Sequence, residues 1–144
     1  MSTVISRAGL IPDLWQPSED GSFIDAQARR GIAVAGETPA AEVAAAVQAR
    51  GAALVAIRIP SFADGRGFTL AHDLRRHHGY GGTLRATGGC LPDQAQDLFR
   101  CGFDEIALPE GADLEVWLRT ARGFSDAYAG NLIEPQPLFR RRTG

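Results

Sequence analysis

The chain has 144 residues, 44% hydrophobic and 22% charged, with a formal net charge of −2 at pH 7. That fits one domain with a real core and excludes whole-molecule attraction to nucleic acid or anionic membrane. All 15 basic residues are arginine, so lysine Schiff-base chemistry and the lysine-dependent Walker phosphate loop are excluded as well.

The first 28 residues are mixed. Val4 to Leu14 can form a short strand or hairpin, and Gln16-Pro17-Ser18-Glu19-Asp20-Gly21 has turn composition. The start of the chain lacks the charged head, apolar middle and small-residue site of a secretory signal. No run is long and apolar enough to span a bilayer, so the expectation is a single cytoplasmic domain, 1–144, with an irregular segment 1–28 and a loose tail 130–144.

Regular patterning starts near Arg30. Gly31–Ala35 is a short apolar strand. Thr38-Pro39 supplies an N-cap and a first-turn proline for an alanine-rich helix to Arg50, and Gly51 stops it. Ala53–Ile59 is a second strand. The loop Phe62-Ala63-Asp64-Gly65-Arg66-Gly67-Phe68 follows, then a helix over Thr69–His78 whose inner face is Phe68, Ala71 and Leu74 and can extend to His78, ended by Gly79. Thr83–Thr87 is a third strand followed by Gly88-Gly89. Leu91-Pro92-Asp93-Gln94 opens a third helix that Gly102 closes. Glu105–Leu108 is a fourth strand, and Asp113 caps a fourth helix with Leu114, Trp117, Leu118 and Ala121 facing inward.

Four consecutive βα units predict an α/β fold with a parallel sheet, either half-barrel-like or open and flavodoxin-like. Non-alternating apolar strands suit a sheet covered on both faces. Either topology gathers the loops at the carboxyl edge, where such sheets place ligands. Three loops should meet there: Asp64-Gly65-Arg66-Gly67; Thr87-Gly88-Gly89-Cys90 with Asp93 and Gln94; and Pro109-Glu110-Gly111. Glycines admit close backbone approach, helix amino ends offer N–H groups, and arginine grips a carboxylate, phosphate or sulfur oxyanion at two points. Asp64 can orient Arg66 or move a proton. A small anionic ligand is one reading of this loop. A structural turn, with Asp64 and Arg66 capping the helix and pairing with each other, weighs about equally.

Other chemistry-bearing residues favour structural roles. Arg58 and Arg85 sit in strands, where an ion pair with Asp64, Asp93 or Glu105 is the expectation. Asp93 suits a first helical turn. His72, His77 and His78 make no metal-ligand motif. Cys90 and Cys101 flank a helix whose rise of ~1.5 Å per residue keeps them too far apart for a disulfide, and Cys101 fits a packed thiol. Gly65-Arg66-Gly67 lacks the third glycine of a dinucleotide fingerprint.

The ordered series Phe62-Ala63-Asp64-Gly65-Arg66-Gly67-Phe68, Leu74-Arg75, Gly79-Tyr80, Leu84-Arg85-Ala86, Asp93-Gln94 and Arg100-Cys101-Gly102-Phe103-Asp104 resembles the bacterial DUF934 family, over about Gly31 to Tyr128. That family is uncharacterised. It carries the label oxidoreductase and its genes lie near those for sulfite reductase, which implies a role in assimilatory sulfur metabolism. The resemblance marks Asp64, Gly65, Arg66, Gly67, Arg85, Gly88, Asp93, Gln94 and Cys101 as motif positions without giving them roles. The chain departs from the family at Gly89, Cys90 and Pro92, where Asp, Val and Arg are usual, and at His72-Asp73, where Arg-Leu is usual.

Two functions follow as expectations. The first is an oxidoreductase or accessory factor of sulfite metabolism that binds a small oxyanion. Asp64, Gly65, Arg66, Gly67, Arg85, Gly88, Asp93 and Gln94 form its site, Asp64 and Arg66 are its catalytic candidates, and any cofactor or electrons are borrowed from a partner. The second is a non-catalytic protein that docks on sulfite reductase or a related protein through the same loop, with Arg66 and Phe68 as anchors.

Overall fold

The computed structural model describes residues 3–59 and 65–121. Phe62, Ala63 and Asp64 of the glycine loop, and the tail 130–144, lie outside the described residues. The apolar runs become strands β5 (Arg30–Ala35), β6 (Ala52–Ile59), β7 (Thr83–Gly88) and β8 (Glu105–Ala107), paired in parallel in that order. Between them run α1 (Ala40–Arg50), α2 (Arg66–Arg76), and a 3-10 turn at Pro92–Gln94 leading into α3 (Ala95–Arg100). Residues 114–121 are helical too.

The hairpin expected between Val4 and Leu14 forms, as β1 (Val4–Ser6) antiparallel to β2 (Gly9–Ile11), and the rest of the N-terminal segment, expected to be irregular, adds β3 (Trp15–Pro17) antiparallel to β4 (Phe23–Asp25). The first pair adds to β8 and the second to β5, both antiparallel. The expected fold of four βα units in a parallel sheet is thus corrected: the sheet has eight strands in the order β2-β1-β8-β7-β6-β5-β4-β3 and is mixed. Three-residue strands carry no readable periodicity, and their pairing partners lie far along the chain. The turn composition at 16–21 is shifted for the same reason, with Gln16 and Pro17 in β3.

Chain length forces the sheet to curl. β2 and β3 are its two outer strands, yet only residues 12–14 separate them in sequence. The step from Ile11 to Trp15 spans at most about 14 Å, whereas eight strands laid flat span roughly 34 Å. The edges therefore approach one another and the sheet forms a half-barrel.

Alternation along the strands gives the two faces different tasks. Ile32, Val55, Ile57, Ile59, Leu84, Ala86 and Ile106 point to the helices, and join Val43, Leu70, Leu74, Leu98, Phe99 and Trp117 in one core. Trp117 is 2% exposed, and Leu114 and Leu118 pack beside it. Asp113 accepts from the amides of Glu115 (3.1 Å) and Val116 (3.4 Å) at the start of that helix. The inner face carries Gly31, Ala33 and Ala35 of β5, Leu54, Ala56 and Arg58 of β6, Thr83, Arg85 and Thr87 of β7, and Glu105 of β8.

Glycines end the helices as their positive φ allows. Gly51 follows α1 at φ 62° and donates its N–H to Val47. Gly79 (φ 62°) follows α2, and Tyr80 N–H reaches back to the Leu74 carbonyl at 2.9 Å. Arg75 then clamps the amino edge. Its Nε donates to Gly102 O, its Nη1 to Tyr80 O and Gly82 O, and its Nη2 to Asp104 at 2.6 Å. Asp104 Oδ2 also accepts the Leu84 amide. Much of the motif series around Leu74-Arg75, Gly79-Tyr80 and Gly102-Phe103-Asp104 is thereby explained as structure. Among the described residues, no helix is long and apolar enough to cross a membrane.

Candidate functional site

The carboxyl edge is built on glycine contacts around the end of β6. A Cβ on Gly36 would stand 3.0 Å from the Arg58 carbonyl and 3.1 Å from the Gly67 backbone. A Cβ on Gly67 would stand 2.8 Å from Ile59 Cγ1. Gly88 (φ 93°) would place one 2.7 Å from the Ile59 carbonyl, and Gly89 N–H donates to that carbonyl at 2.5 Å. The β5–α1 loop, the head of α2 and the loop after β7 therefore converge on Arg58 and Ile59.

Gly65 differs from its neighbours. Its φ is −83° and a Cβ there meets nothing within 4 Å. Gly67→Ala is expected to lose about 1–3 kcal/mol through overpacking against Ile59, whereas Gly65→Ala is expected to change stability by no more than about 0.5 kcal/mol. Urea unfolding of both variants checks this. Equal losses would remove the distinction between a packing glycine and an open one.

Arg66 heads α2 and is exposed. With Gly36, Thr38, Ala40, Thr69 and Asp73 it lines a hollow of about 240 Å³ between the first turns of α1 and α2. Neither N-cap residue makes a side-chain capping bond among the described residues: Gly65 holds the N-cap position of α2, and Pro39, not Thr38, holds that of α1. First-turn N–H groups have no carbonyl within their own helix, and both helix dipoles present their positive ends here. Glu37 and Asp73 also line the hollow. Asp73 lies 3.8 Å from His77 and 3.9 Å from His72.

The other sequence-nominated residues are placed differently. Arg85 is 3% exposed and lies on the inner face, bonded to Glu105 Oε1 at 2.7 Å and Asp13 Oδ1 at 3.0 Å. Burial pushes the Glu105 carboxyl above its usual range, and Arg85 pulls it back. Asp93 is exposed in the 3-10 turn, and Gln94 caps that turn by accepting the Leu91 amide at 2.9 Å. Pro109, Glu110 and Gly111 line a separate hollow of about 400 Å³ with Thr3 and Leu114. Of the three loops expected to meet, the first two each pack on Ile59 at the end of β6, and the third lines its own hollow.

Cys90 is buried, donates weakly to Thr87 O at 3.7 Å, and has its thiol pushed up to about 11 by burial. Cys101 is half-buried, with its thiol raised by burial and by Asp97. Both are free. Among the described residues, no cluster of three His, Cys, Asp or Glu could hold a metal ion.

The ion pair expected for an in-strand arginine with Asp64, Asp93 or Glu105 is made by Arg85, with Glu105. The Arg58 side chain is exposed, and among the described residues, which do not include Asp64, nothing bonds to it. Asp13 was not singled out at all, because no local pattern links it to a residue 72 positions away.

No curated protein matches the chain. The model of DUF934, described as a bacterial protein of unknown function, matches residues 31–139. The match thus takes in β5 to β8 with their helices and leaves out β1 to β4. On that match, which covers most of its length, the chain belongs to the DUF934 family.

Proposed function

We propose that the protein binds a small oxyanion at the Asp64–Gly67 loop and acts in or beside assimilatory sulfite metabolism in the cytoplasm, as an oxidoreductase or as an accessory factor to one. The observation that carries the binding is the position of Arg66, exposed on a hollow between the amino ends of two helices. Backbone N–H groups and a guanidinium suit a tetrahedral or trigonal oxyanion. The sulfur assignment rests on the family resemblance. Any redox role requires a cofactor or a partner's electrons, with Asp64 as the adjoining acid or base. The docking alternative uses Phe68 as an anchor, and Phe68 packs against the core, which favours a ligand over a partner at this loop.

A thermal-shift series with sulfite, sulfate, adenylyl sulfates, flavins and nicotinamide nucleotides tests the reading. A ligand at 100 times its dissociation constant should stabilise the protein by about 2.7 kcal/mol. The expected result is a shift with a sulfur oxyanion that disappears in Arg66→Ala. Absence of any shift in folded protein would sink the oxyanion reading, and pull-down with sulfite reductase would then test the docking alternative.

A further inference from the structure

We infer that the carboxyl mouth of the half-barrel holds a second oxyanion-binding point on its inner face, with Arg58 as the cation. This goes beyond the loop site, since Arg66 lines a hollow between helices on the other side of the sheet. β6 is an interior strand of the eight, and Arg58 lies on the inner face near its carboxyl end. Its lateral neighbours are Ala35 on β5 and Thr87 on β7, with Ala56 two residues earlier on the same face. None of these is large enough to cover a guanidinium, and Arg58 stays exposed.

The contrast with Arg85 carries the argument. Arg85 lies on the same face, one register step lower, level with Ala56. It is buried between Asp13 and Glu105. Both carboxylates turn to Arg85, and no carboxylate of the described residues lies within 4.0 Å of Arg58. One inner-face arginine is therefore engaged by the fold and the other is not. An exposed, unbonded guanidinium contributes little burial and no ion pair to stability. Its place is the mouth of a curled α/β sheet, where such sheets bind ligands. Gly88 lets the Arg58 stem lie close against β7, since a Cβ there would stand 3.1 Å from Arg58 Cγ. The Thr87 hydroxyl is turned to the Ile57 carbonyl at 3.5 Å, which leaves Arg58 as the principal donor. The matching chemistry is a carboxylate, phosphate or sulfur oxyanion presented by a small molecule.

The test is an ¹H–¹⁵N NMR titration of the full chain with sulfite, inorganic phosphate and acetate as separate probes. The expected result is a saturable shift of Arg58 Nε–H and of the Ala35 and Thr87 amides with at least one probe, weakened at least tenfold in Arg58→Ala and partly restored in Arg58→Lys. Should Arg58→Ala fail to fold, Arg58→Gln gives the same reading. No saturable shift at these groups with any probe, or unchanged shifts in the variant, overturns the inference. Shifts confined to Arg66, Ala40 and Ala41 would overturn it while supporting the loop site. Shifts confined to Arg58 and its neighbours would support it and count against the loop.

Discussion

Arg85→Ala is expected to lose about 3–5 kcal/mol of folding stability, a fall in melting temperature on the order of 10 °C for a chain of this size. The guanidinium is 3% exposed and bridges Glu105 at 2.7 Å and Asp13 at 3.0 Å. Truncation leaves two carboxylates beside each other in a largely water-free interior. The damage comes from orphaned charge more than from the lost pair. A combined Arg85→Met, Asp13→Leu, Glu105→Leu variant should therefore recover most of the loss, since apolar replacement of a whole buried ion cluster is often neutral or better. Denaturant unfolding of both variants reads this directly, and a triple variant as unstable as Arg85→Ala would refute the explanation.

The same change carries a pH signature. Burial already raises the Glu105 carboxyl, with Arg85 the main force opposing the rise. Without Arg85 the folded-state value climbs further above the unfolded one. A raised carboxyl contributes stability that is fully present below its unfolded value and is lost as pH rises through the folded value. The deficit of Arg85→Ala against the parent should thus be smaller near pH 4 than at pH 7. A constant deficit across that range would place the lost stability elsewhere.

Gly88→Ala is expected to cost roughly 2–5 kcal/mol, combining backbone strain with overpacking. At φ 93° a side chain is disfavoured whatever the space, and the space is absent, because the Ile59 carbonyl stands 2.7 Å from the added atom. That carbonyl already accepts the Gly89 amide at 2.5 Å. Relief of the clash must move the end of β6 or the loop after β7, both of which frame the carboxyl edge. Anion binding should weaken along with stability, and isothermal titration beside urea unfolding separates the two losses. A variant as stable as the parent would mean that Gly88 adjusts without disturbing Ile59.

Helix and strand positions from Gly31 to Ala121 are legible in the sequence because they rest on local physics. Apolar runs bounded by Gly51, Gly79 and Gly102 announce elements whose ends need positive φ or a missing side chain, and the structure uses those glycines in that way. The prolines at 39 and 92 mark helix starts for the same reason, each holding φ near its helical value. The glycine loops also mark the carboxyl edge, although Gly67 and Gly88 serve close packing against Ile59, whereas Gly65 and Gly111 are open.

At the N-terminus only the β1–β2 hairpin is legible, within Val4–Leu14; β3, β4 and the places of all four strands in the sheet are not. A three-residue strand has no period to detect, and its existence depends on the edges offered by β5 and β8. The short link 12–14 then dictates curvature, since it is too short to join the edges of a flat sheet.

By itself, the sequence determined the central βα order, the glycine-lined carboxyl edge and the family. Tertiary structure alone decided which in-strand arginine is structural. Arg58 and Arg85 look alike in sequence, each flanked by apolar strand residues. Asp13, brought in from the chain's start by the curl of the sheet, joins Glu105 on Arg85 and leaves Arg58 exposed at the mouth. A charge's partner is set by distance in space, and local sequence carries no record of that distance.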